Sequence, residues 1–240
     1  MNIVSADNAK IKEYNKLAKH KKYRDELGKF VLEGERLVSD AALGGIIPEM
    51  IFCTEKFAEK YDNAYIITEA IAERISETKS TQGIFAVCTK PPEKPVKSDK
   101  VIVLAGLQDP GNIGTIIRTA DAMGITDIIA INTADIYSPK CTRAAMGSLF
   151  HVNIVCANSL PEILQGYTVY AAVTGGAADV RSVSFDKKSA IIIGNEANGI
   201  PEEILEKSDM RITINMPGNA ESLNAAAAAA ILIWELRRGT

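Results

Sequence analysis

The sequence predicts an α/β protein whose C-terminal part holds a parallel sheet. Six apolar, β-rich segments recur after residue 100, and stretches that can form a helix or a turn separate them. Near-continuous apolar strands that alternate with helices are typical of a parallel sheet covered on both faces. The segments are VIVLAGL, DIIAIN, VNIVCA, TVYAAV, AIIIGN and MRITINM, which begin at Val101, Asp127, Val152, Thr168, Ala190 and Met210.

A proline-rich segment divides the chain into two parts. Residues 90–98, KPPEKPVKS, contain three prolines, which disfavour a helix and weaken a strand. We therefore predict an N-terminal domain at residues 1–92, a linker at residues 93–99 and a second domain at residues 100–240. The chain has 240 residues, 47% of them hydrophobic, and this is enough for two domains with buried cores.

Helical patterns mark both ends of the chain. At the N-terminus, an amphipathic basic helix is predicted around residues 9–27 and a second helix within FVLEGERLVSDAALGG, followed by short strands at MIFC, YIIT and IFAVCT. At the C-terminus, SLNAAAAAAILIWELRR predicts a strong helix. Ser222 is its predicted N-cap, and Arg237 and Arg238 lie at its negative end.

The charge and the cysteines narrow the class of protein. The chain carries 27 basic and 30 acidic side chains, so its formal net charge of −3 does not by itself indicate a nucleic-acid partner. In the first 30 residues, however, eight basic residues outnumber four acidic ones. The four cysteines lie far apart without a C-x-x-C pair, so neither disulfides nor a metal site is expected. The chain shows no signal peptide and no apolar run that could span a membrane, which predicts a cytoplasmic protein without a membrane partner.

Three strand-to-helix loops carry the candidate functional residues, and the first follows the strand at Val101. In its sequence, GLQDPGNIGTIIRTADAMG, Pro110, Gly111 and Gly114 form a turn, and Arg118 lies one helical turn later. Ligands bind at the carboxyl ends of strands in open parallel sheets. The loop has neither the G-x-G-x-x-G of a dinucleotide site nor the Gly-Lys-Ser/Thr of a phosphate loop, which argues against a nucleotide-dependent oxidoreductase.

The second and third loops follow the fifth and sixth predicted strands. In IIIGNEANGIPEE, Gly194 and Gly199 bracket Glu196, and in INMPGNAESLNAAAA, Ser222 and Asn224 place a hydroxyl and a carboxamide at the start of the final helix. A position near a helix N-terminus is enough to explain Glu196, and capping is enough to explain Ser222. Capping explains Asn224 less well, because asparagine within a first turn lowers helix propensity.

Together and in this order, the three loops resemble the motifs of the SpoU family of RNA ribose methyltransferases, the TrmH-like group of the SPOUT superfamily. The matching sequences are NIGTIIRTA from Asn112, IGNEANGI from Ile193 and INMPGNAESLNAAAAAAI from Ile214, with SPKCTRAAMGSLF from Ser138 similar to the family's intermediate segment. FVLEGERLV and TKSTQGIFAV are similar to an L30e-like substrate-binding domain. The resemblance implies an L30e-like domain followed by a catalytic domain with a deep trefoil knot.

The resemblance also implies that S-adenosylmethionine is the cofactor and that it binds in the knot. Apolar walls and backbone amides suit an adenine ring, since they recognise a base without charged side chains. The third loop departs from the family, because Met216 precedes Pro217 where many relatives have the reverse order. The residues implied to bind the cofactor are Thr174, Gly175, Gly194, Ile214, Met216 and Leu223.

The implied acceptor is a ribose 2′-hydroxyl beside Arg118. By the same resemblance, Asn112, Glu196, Ser222 and Asn224 orient Arg118, the donor or the substrate. Two roles of Arg118 remain open: a general base, or a cation that stabilises the developing alkoxide while another group accepts the proton. Transfer requires the hydroxyl to be in line with the sulfonium methyl, so positioning is expected to contribute most of the catalysis.

The expected partners are RNA and a second copy of the chain. We predict that Lys19, Lys21, Lys22 and Arg24 bind RNA phosphates. By analogy with the family, the L30e-like domain favours 23S ribosomal RNA as the substrate. The alternatives are a transfer RNA 2′-O-ribose methyltransferase and a non-catalytic RNA-binding protein of the same fold. The six alanines from Ala225 permit close helix packing, which fits either the family's homodimer through the catalytic domain or a generic buried helix.

Overall fold

The computed structural model describes residues 2–238, so the outermost residues of the two predicted domains, 1 and 239–240, lie outside it. Within that range no helix is both long and apolar enough to cross a membrane. The described chain forms two compact units, whereas the predicted domain limits at residues 92 and 100 stay predictions. The units are the chain up to Pro92 with Tyr137–Phe150, and Glu93–Ile136 with the residues from His151 onward.

Strands and helices alternate along most of the described chain. The strands are β1 (Asn2–Ile3), β2 (Lys29–Glu33), β3 (Pro48–Cys53), β4 (Tyr65–Ile67), β5 (Ile84–Thr89), β6 (Lys100–Ala105), β7 (Asp127–Ile131), β8 (Asn153–Ala157), β9 (Thr168–Ala172), β10 (Ala178–Asp179), β11 (Ser189–Ile193) and β12 (Met210–Thr213). The α-helices are α1 (Ala9–Lys19), α2 (Lys21–Leu27), α3 (Glu35–Leu43), α4 (Glu69–Ile75), α5 (Pro110–Ala122), α6 (Pro139–Ala145), α7 (Glu202–Leu205) and α8 (Ala225–Arg237). Short 3-10 turns lie at Glu55–Phe57, Met146–Phe150, Glu162–Leu164 and Val180–Ser182.

The first unit is built on a mixed sheet with the strand order β1-β4-β3-β5-β2. The pairs β1–β4 and β4–β3 are parallel, and β5 runs antiparallel to both β3 and β2. Tyr14 of α1 packs edge-on against Phe52 and Phe85 of the sheet, with ring centroids 6.0 and 5.5 Å away. These rings anchor α1 on the sheet, since aromatic pairs of this geometry stabilise a core beyond their buried area.

The single basic helix predicted at residues 9–27 is wrong, because the chain breaks it into α1 and α2. His20, between them, has an extended backbone with φ −122° and ψ 112°. The Arg24 guanidinium, on α2, donates to the carbonyls of Leu17 and Ala18 at the end of α1, the latter at 2.9 Å. Arg24 is 4% exposed and satisfies the last carbonyls of a helix, so its predicted RNA-binding role does not fit its position.

The second unit is a seven-stranded, wholly parallel sheet with the order β10-β12-β9-β11-β6-β7-β8. All six strands predicted after residue 100 are present, and the predicted α/β fold with a smaller N-terminal α/β unit is confirmed. The two-residue strand β10 was not predicted, because it is too short to carry an apolar pattern. The trefoil knot stays a prediction.

The core of the second unit follows the alternation of its strands. Val101 and Val103 of β6, Ile129 of β7 and Ala190 and Ile192 of β11 belong to one buried cluster. The residues between them are buried as well, so these central strands are apolar on both faces, as parallel strands covered on both sides are. Their carboxyl ends lie at one edge of the sheet because β6 pairs in parallel with both β7 and β11.

The final helix begins two residues later than predicted. Asn224, not Ser222, is the N-cap of α8, and its Oδ1 accepts hydrogen bonds from the amides of Ala226 at 3.0 Å and Ala227 at 3.4 Å. The predicted capping by Ser222 is therefore wrong, because residues 222–223 have no helical structure. Asparagine at an N-cap satisfies amides that otherwise lack a partner, so Asn224 carries no helix-interior penalty.

Asp127 fastens the segment before β6 to the start of β7. Its carboxylate accepts hydrogen bonds from the amides of Lys97 (3.0 Å) and Ser98 (2.8 Å), from the Ser98 hydroxyl (2.5 Å) and from Nδ2 of Asn153 (2.7 Å). Burial alone raises the pKa of Asp127, but these hydrogen bonds outweigh it and hold the pKa below its ordinary value. The folded protein therefore stabilises the ionised form of the Asp127 carboxylate.

We predict that Asp127→Ala lowers the free energy of unfolding by about 2 to 3 kcal/mol at pH 7, because four partly buried donor groups lose their acceptor. The pKa of Asp127 is lowered on folding, so its contribution is complete above the unfolded-state pKa and is lost as pH falls through the folded-state value. Urea denaturation should therefore show the difference from wild type narrowing below about pH 4. Asp62→Ala, at an exposed position, is the matched control, and an equal loss in both variants would contradict the role of Asp127.

Candidate active site

Two cavities lie at the carboxyl ends of β9, β11 and β12. The first has a volume of about 590 Å³ and is walled by the loops after these three strands and by the start of α8. The second, of about 670 Å³, lies between the loops after β9 and β12. Five of the six predicted cofactor-binding residues line the first cavity, and the sixth, Gly175, lines the second. Three of the five, Thr174, Ile214 and Met216, line both cavities.

Glycine is required at Gly194 because two parts of the same loop come close together. A Cβ atom there would lie 2.5 Å from the carbonyl carbon of Gly199. Asn195 and Gly199 exchange two backbone hydrogen bonds of 2.9 Å, which close the loop around Glu196. Gly175 serves differently: its φ of +70° is in the left-handed region, and its amide donates to Oγ1 of Thr213 at 3.1 Å.

The charged residues that line the cavities are all acidic within the described part of the chain. Glu196 and Glu221 line the first cavity, and Asp179 and Glu221 line the second. Hydrogen bonds from the Arg181 side chain, and then from its amide, lower the pKa of Asp179 to about 2. Acidic walls attract a cationic ligand and disfavour a phosphate, which needs cationic donors.

A chain of side-chain hydrogen bonds connects the three loops. Nδ2 of Asn112 donates to Oε1 of Glu196, and Nδ2 of Asn224 donates to Oδ1 of Asn112 at 3.1 Å. The direction of the chain is fixed at one end, because Oδ1 of Asn224 already accepts from the amides that begin α8. Nδ2 of Asn224 must therefore donate, and the amide group of Asn112 is oriented with its NH₂ towards the Glu196 carboxylate.

The other two predicted catalytic residues are placed differently. Ser222 is exposed and lines the first cavity together with Glu196. Arg118 is exposed on the side of α5 that also carries Thr115, and its guanidinium forms no hydrogen bond or ion pair with residues 2–238. The structure thus joins Asn112, Glu196 and Asn224 by hydrogen bonds, but among residues 2–238 no hydrogen bond or ion pair joins Arg118 to them.

Asn195, Thr213 and Glu221 are among the polar residues of the site that sequence reasoning missed. Thr213 supports the Gly175 turn, and Glu221 borders both cavities. Asn195 binds across to the loop after β6. Asn195 adjoins predicted site residues in the second motif, and Glu221 adjoins one in the third. Their position in the sequence was therefore a signal that could have identified them. The role of Thr213 depends on a contact 38 residues away and leaves no local pattern.

The fold and the cavities define a domain of the open, parallel α/β class, in which ligands bind at the carboxyl ends of the strands, and a smaller mixed-sheet unit comes before it. Residues 99–234 match the family model described as the SpoU rRNA Methylase family, and residues 8–86 match the MRM3-like substrate binding domain. The chain belongs to the SpoU rRNA methylase family. The predicted family and the predicted enzyme class, an RNA methyltransferase, are confirmed.

Three similar proteins illustrate the match. The chain is 38% identical over 246 residues to the 23S rRNA (guanosine(2553)-2′-O)-methyltransferase RlmP of Bacillus subtilis, with 98% of both chains covered. An AdoMet-bound rRNA methyltransferase structure from Sinorhizobium meliloti is 29% identical with a TM-score of 0.88, and the match covers 100% of this chain and 98% of that one. A structure that concerns the 2-OH methylation of C/U34 on tRNA is 30% identical to this chain with a TM-score of 0.53. The match covers 58% of this chain and 94% of the chain in that structure.

We predict that Gly194→Ala lowers the free energy of unfolding by about 1 to 3 kcal/mol, because the new methyl group forces backbone at Gly199 to move. Gly218→Ala is the matched control: an added Cβ at Gly218 meets no atom within 4 Å, and its φ is not in the left-handed region. Urea denaturation of both variants measures the difference. Equal stability of the two variants would show that the Gly194 loop adapts without cost.

Proposed function

We propose that this protein transfers a methyl group from S-adenosylmethionine to a ribose 2′-hydroxyl of 23S ribosomal RNA. The observation that carries the proposal is the pair of cavities at the carboxyl edge of the sheet, because together they are lined by all six residues expected to bind the donor. Two comparisons support it. RlmP, named for 2′-O-methylation of a guanosine in 23S rRNA, matches the chain over nearly its whole length, and the Sinorhizobium protein has AdoMet bound.

The residues of the cavities fit the chemical character of this donor. Ile214, Met216 and Leu223 line the first cavity and would offer apolar surface to an adenine ring, and the backbone groups of the tight loop at Gly194 would be available to hydrogen-bond the base. Glu196 and Glu221 supply negative charge for the donor's sulfonium and ammonium groups. When bound, S-adenosylmethionine supplies an electrophilic methyl group.

Arg118 acts in this proposal as the cation that stabilises the developing 2′-alkoxide. A solvent-exposed guanidinium keeps its positive charge, which favours this role over that of a general base. The new bond joins the 2′-oxygen to the methyl carbon, the carbon–sulfur bond breaks, and the hydroxyl proton leaves to solvent. Asn112, Glu196 and Asn224 hold the surrounding loops in register, and Ser222 at the cavity wall orients donor or acceptor.

Ribosomal RNA is favoured over transfer RNA as the substrate by the extent of the matches. The structure concerned with C/U34 of tRNA covers 58% of this chain, so a large part of the chain has no counterpart in it. RlmP covers 98% of the chain, and residues 8–86 match a substrate-binding domain model. The N-terminal unit is therefore proposed to select the ribosomal substrate, with Lys19, Lys21 and Lys22 exposed on its surface.

The proposal includes a homodimer in the cytoplasm, formed through the catalytic unit. Ile231 and Trp234 on α8 are 39% and 58% exposed, and Ala227 continues the same side of the helix one turn earlier. An exposed apolar stripe with a large aromatic residue suits a protein interface. The trefoil knot, which the resemblance implies is formed by the second and third loops, belongs to the same proposal.

Incubation with labelled S-adenosylmethionine and either ribosomal or transfer RNA tests the reaction, after digestion to nucleosides. We expect 2′-O-methylated nucleosides from ribosomal RNA, and a fall in kcat of about 100-fold or more in Arg118→Ala, comparable to the loss of one oxyanion-stabilising donor. Label in transfer RNA alone would overturn the substrate, and the absence of label from both would overturn the reaction. In Arg118→Lys the charge remains and the planar fork is lost, so near-normal turnover would refute a role that needs guanidinium geometry.

RNA binding through the N-terminal unit is tested by replacing Lys19, Lys21 and Lys22 together with alanine. Each phosphate contact contributes to counterion release. In the triple variant, the slope of the logarithm of the RNA association constant against the logarithm of the salt concentration should therefore become shallower by about 2. Filter binding at several salt concentrations measures the slope, while the melting temperature and the affinity for S-adenosylmethionine should match wild type. An unchanged slope would exclude these lysines from the RNA interface.

A further inference from the structure

Asn195 lies between Gly194 and Glu196 and is half-buried at the carboxyl end of β11. We infer that Asn195 is a positioning residue for methyl transfer, which fixes the Glu196 loop and ties it to the loop that leads into α5 and Asn112. This inference rests on the proposed function and assigns a role within the same site. Asn195 lines the first cavity, and its side chain binds backbone groups of the neighbouring loops, so it acts through its neighbours.

The first part of the role is the closure of its own loop. Oδ1 of Asn195 accepts hydrogen bonds from the amides of Ala197 at 2.9 Å and Asn198 at 3.1 Å, directly beyond Glu196. The backbone of Asn195 meanwhile forms two hydrogen bonds with Gly199. Glu196 is thus held within a ring of five residues whose geometry is set at both ends.

The second part is a connection to the neighbouring strand. Nδ2 of Asn195 donates to the carbonyl of Gly106, which follows β6, at 3.0 Å. The same carbonyl accepts from Nε2 of Gln108 at 3.0 Å, and Gln108 also donates to the carbonyl of Asn132, after β7, at 3.1 Å. The Gly106 carbonyl and the Gln108 side chain therefore link the loops that follow three adjacent strands, β11, β6 and β7.

The two parts together determine where the Glu196 carboxylate lies. That carboxylate accepts a hydrogen bond from Nδ2 of Asn112. The side-chain oxygen of Asn112 in turn accepts a hydrogen bond from Nδ2 of Asn224, the N-cap of α8. A shift of Glu196 would be passed along this chain to the start of α8. Positioning errors of about 1 Å can lower a rate by about 100-fold, so the contribution of Asn195 is expected in kcat.

Asn195→Ala and Asn195→Asp separate the two parts. Aspartate keeps an oxygen that can accept from Ala197 and Asn198, but it presents a second oxygen to the Gly106 carbonyl where the amide had donated. Asn158→Ala is the matched control, since Asn158 is exposed in the same unit and its side chain forms no hydrogen bond with the described residues. The melting temperature of each variant shows whether it is folded at the temperature of the assays.

Solvent exchange of single amides, measured by NMR without RNA, tests the loop directly. We expect the amides of Ala197 and Asn198 to exchange about tenfold faster or more in Asn195→Ala, which corresponds to about 1.4 kcal/mol. In Asn195→Asp and Asn158→Ala their exchange should stay within about twofold of wild type. Unchanged exchange in Asn195→Ala would overturn the inference, whether or not the protein methylates ribosomal RNA.

Kinetics with ribosomal RNA test the positioning role. We expect kcat to fall by about 10- to 100-fold in both Asn195 variants, with the KM for RNA within about twofold of wild type. In a Glu196→Ala background, Asn195→Ala should lower kcat by less than about twofold further, because residues that act through one group are not additive. An equal fall in both backgrounds would overturn the inference. An inactive wild type would overturn the proposed function alone, since the exchange experiment decides the role of Asn195 independently.

Discussion

The parallel pairing of β11 with β6 on one side and β9 on the other is the constraint on which the site depends. Because all seven strands of this sheet run the same way, every loop at their carboxyl ends emerges at one edge. The loops after β6, β11 and β12 are far apart in sequence, yet their side chains can bind one another there. Residues 84 and 112 positions apart form hydrogen bonds at this edge.

Neutral amides and one carboxylate make the connections between these loops. An asparagine side chain both donates and accepts, so it can pass a hydrogen-bond direction from one loop to the next. The direction starts at the amides that begin α8, passes through Asn224 and Asn112, and ends at Glu196. The Arg118 guanidinium is not used in this scaffold, and an exposed cation with no protein partner among residues 2–238 is available to a substrate.

The N-terminal unit shows that a motif can be explained by folding alone. The Glu33 carboxylate, in FVLEGERLV, accepts hydrogen bonds from the hydroxyls of Ser76 and Thr78 and the amide of Glu77, and Arg143 of α6 lies 3.8 Å away. This carboxylate therefore holds the start of the TKSTQG segment against β2. Both sequence motifs and part of the SPKCTRAAMGSLF segment meet at one buried acid, because a buried charge must be paired and hydrogen-bonded.

The sequence by itself determined the features that depend on local patterns. Apolar runs identified the six strands after residue 100, and the order of three loops identified the family, because strand burial and turn chemistry act over a few neighbouring residues. Only the tertiary structure decided that Arg24 caps α1 instead of facing solvent and that Asn224 caps α8 in place of Ser222. It also decided that Asn195 reaches Gly106, 89 residues away. Arg24 and Asn195 bind carbonyls that only the folded chain brings close to them, and the choice of Asn224 over Ser222 depends on the residue at which α8 begins in the folded protein.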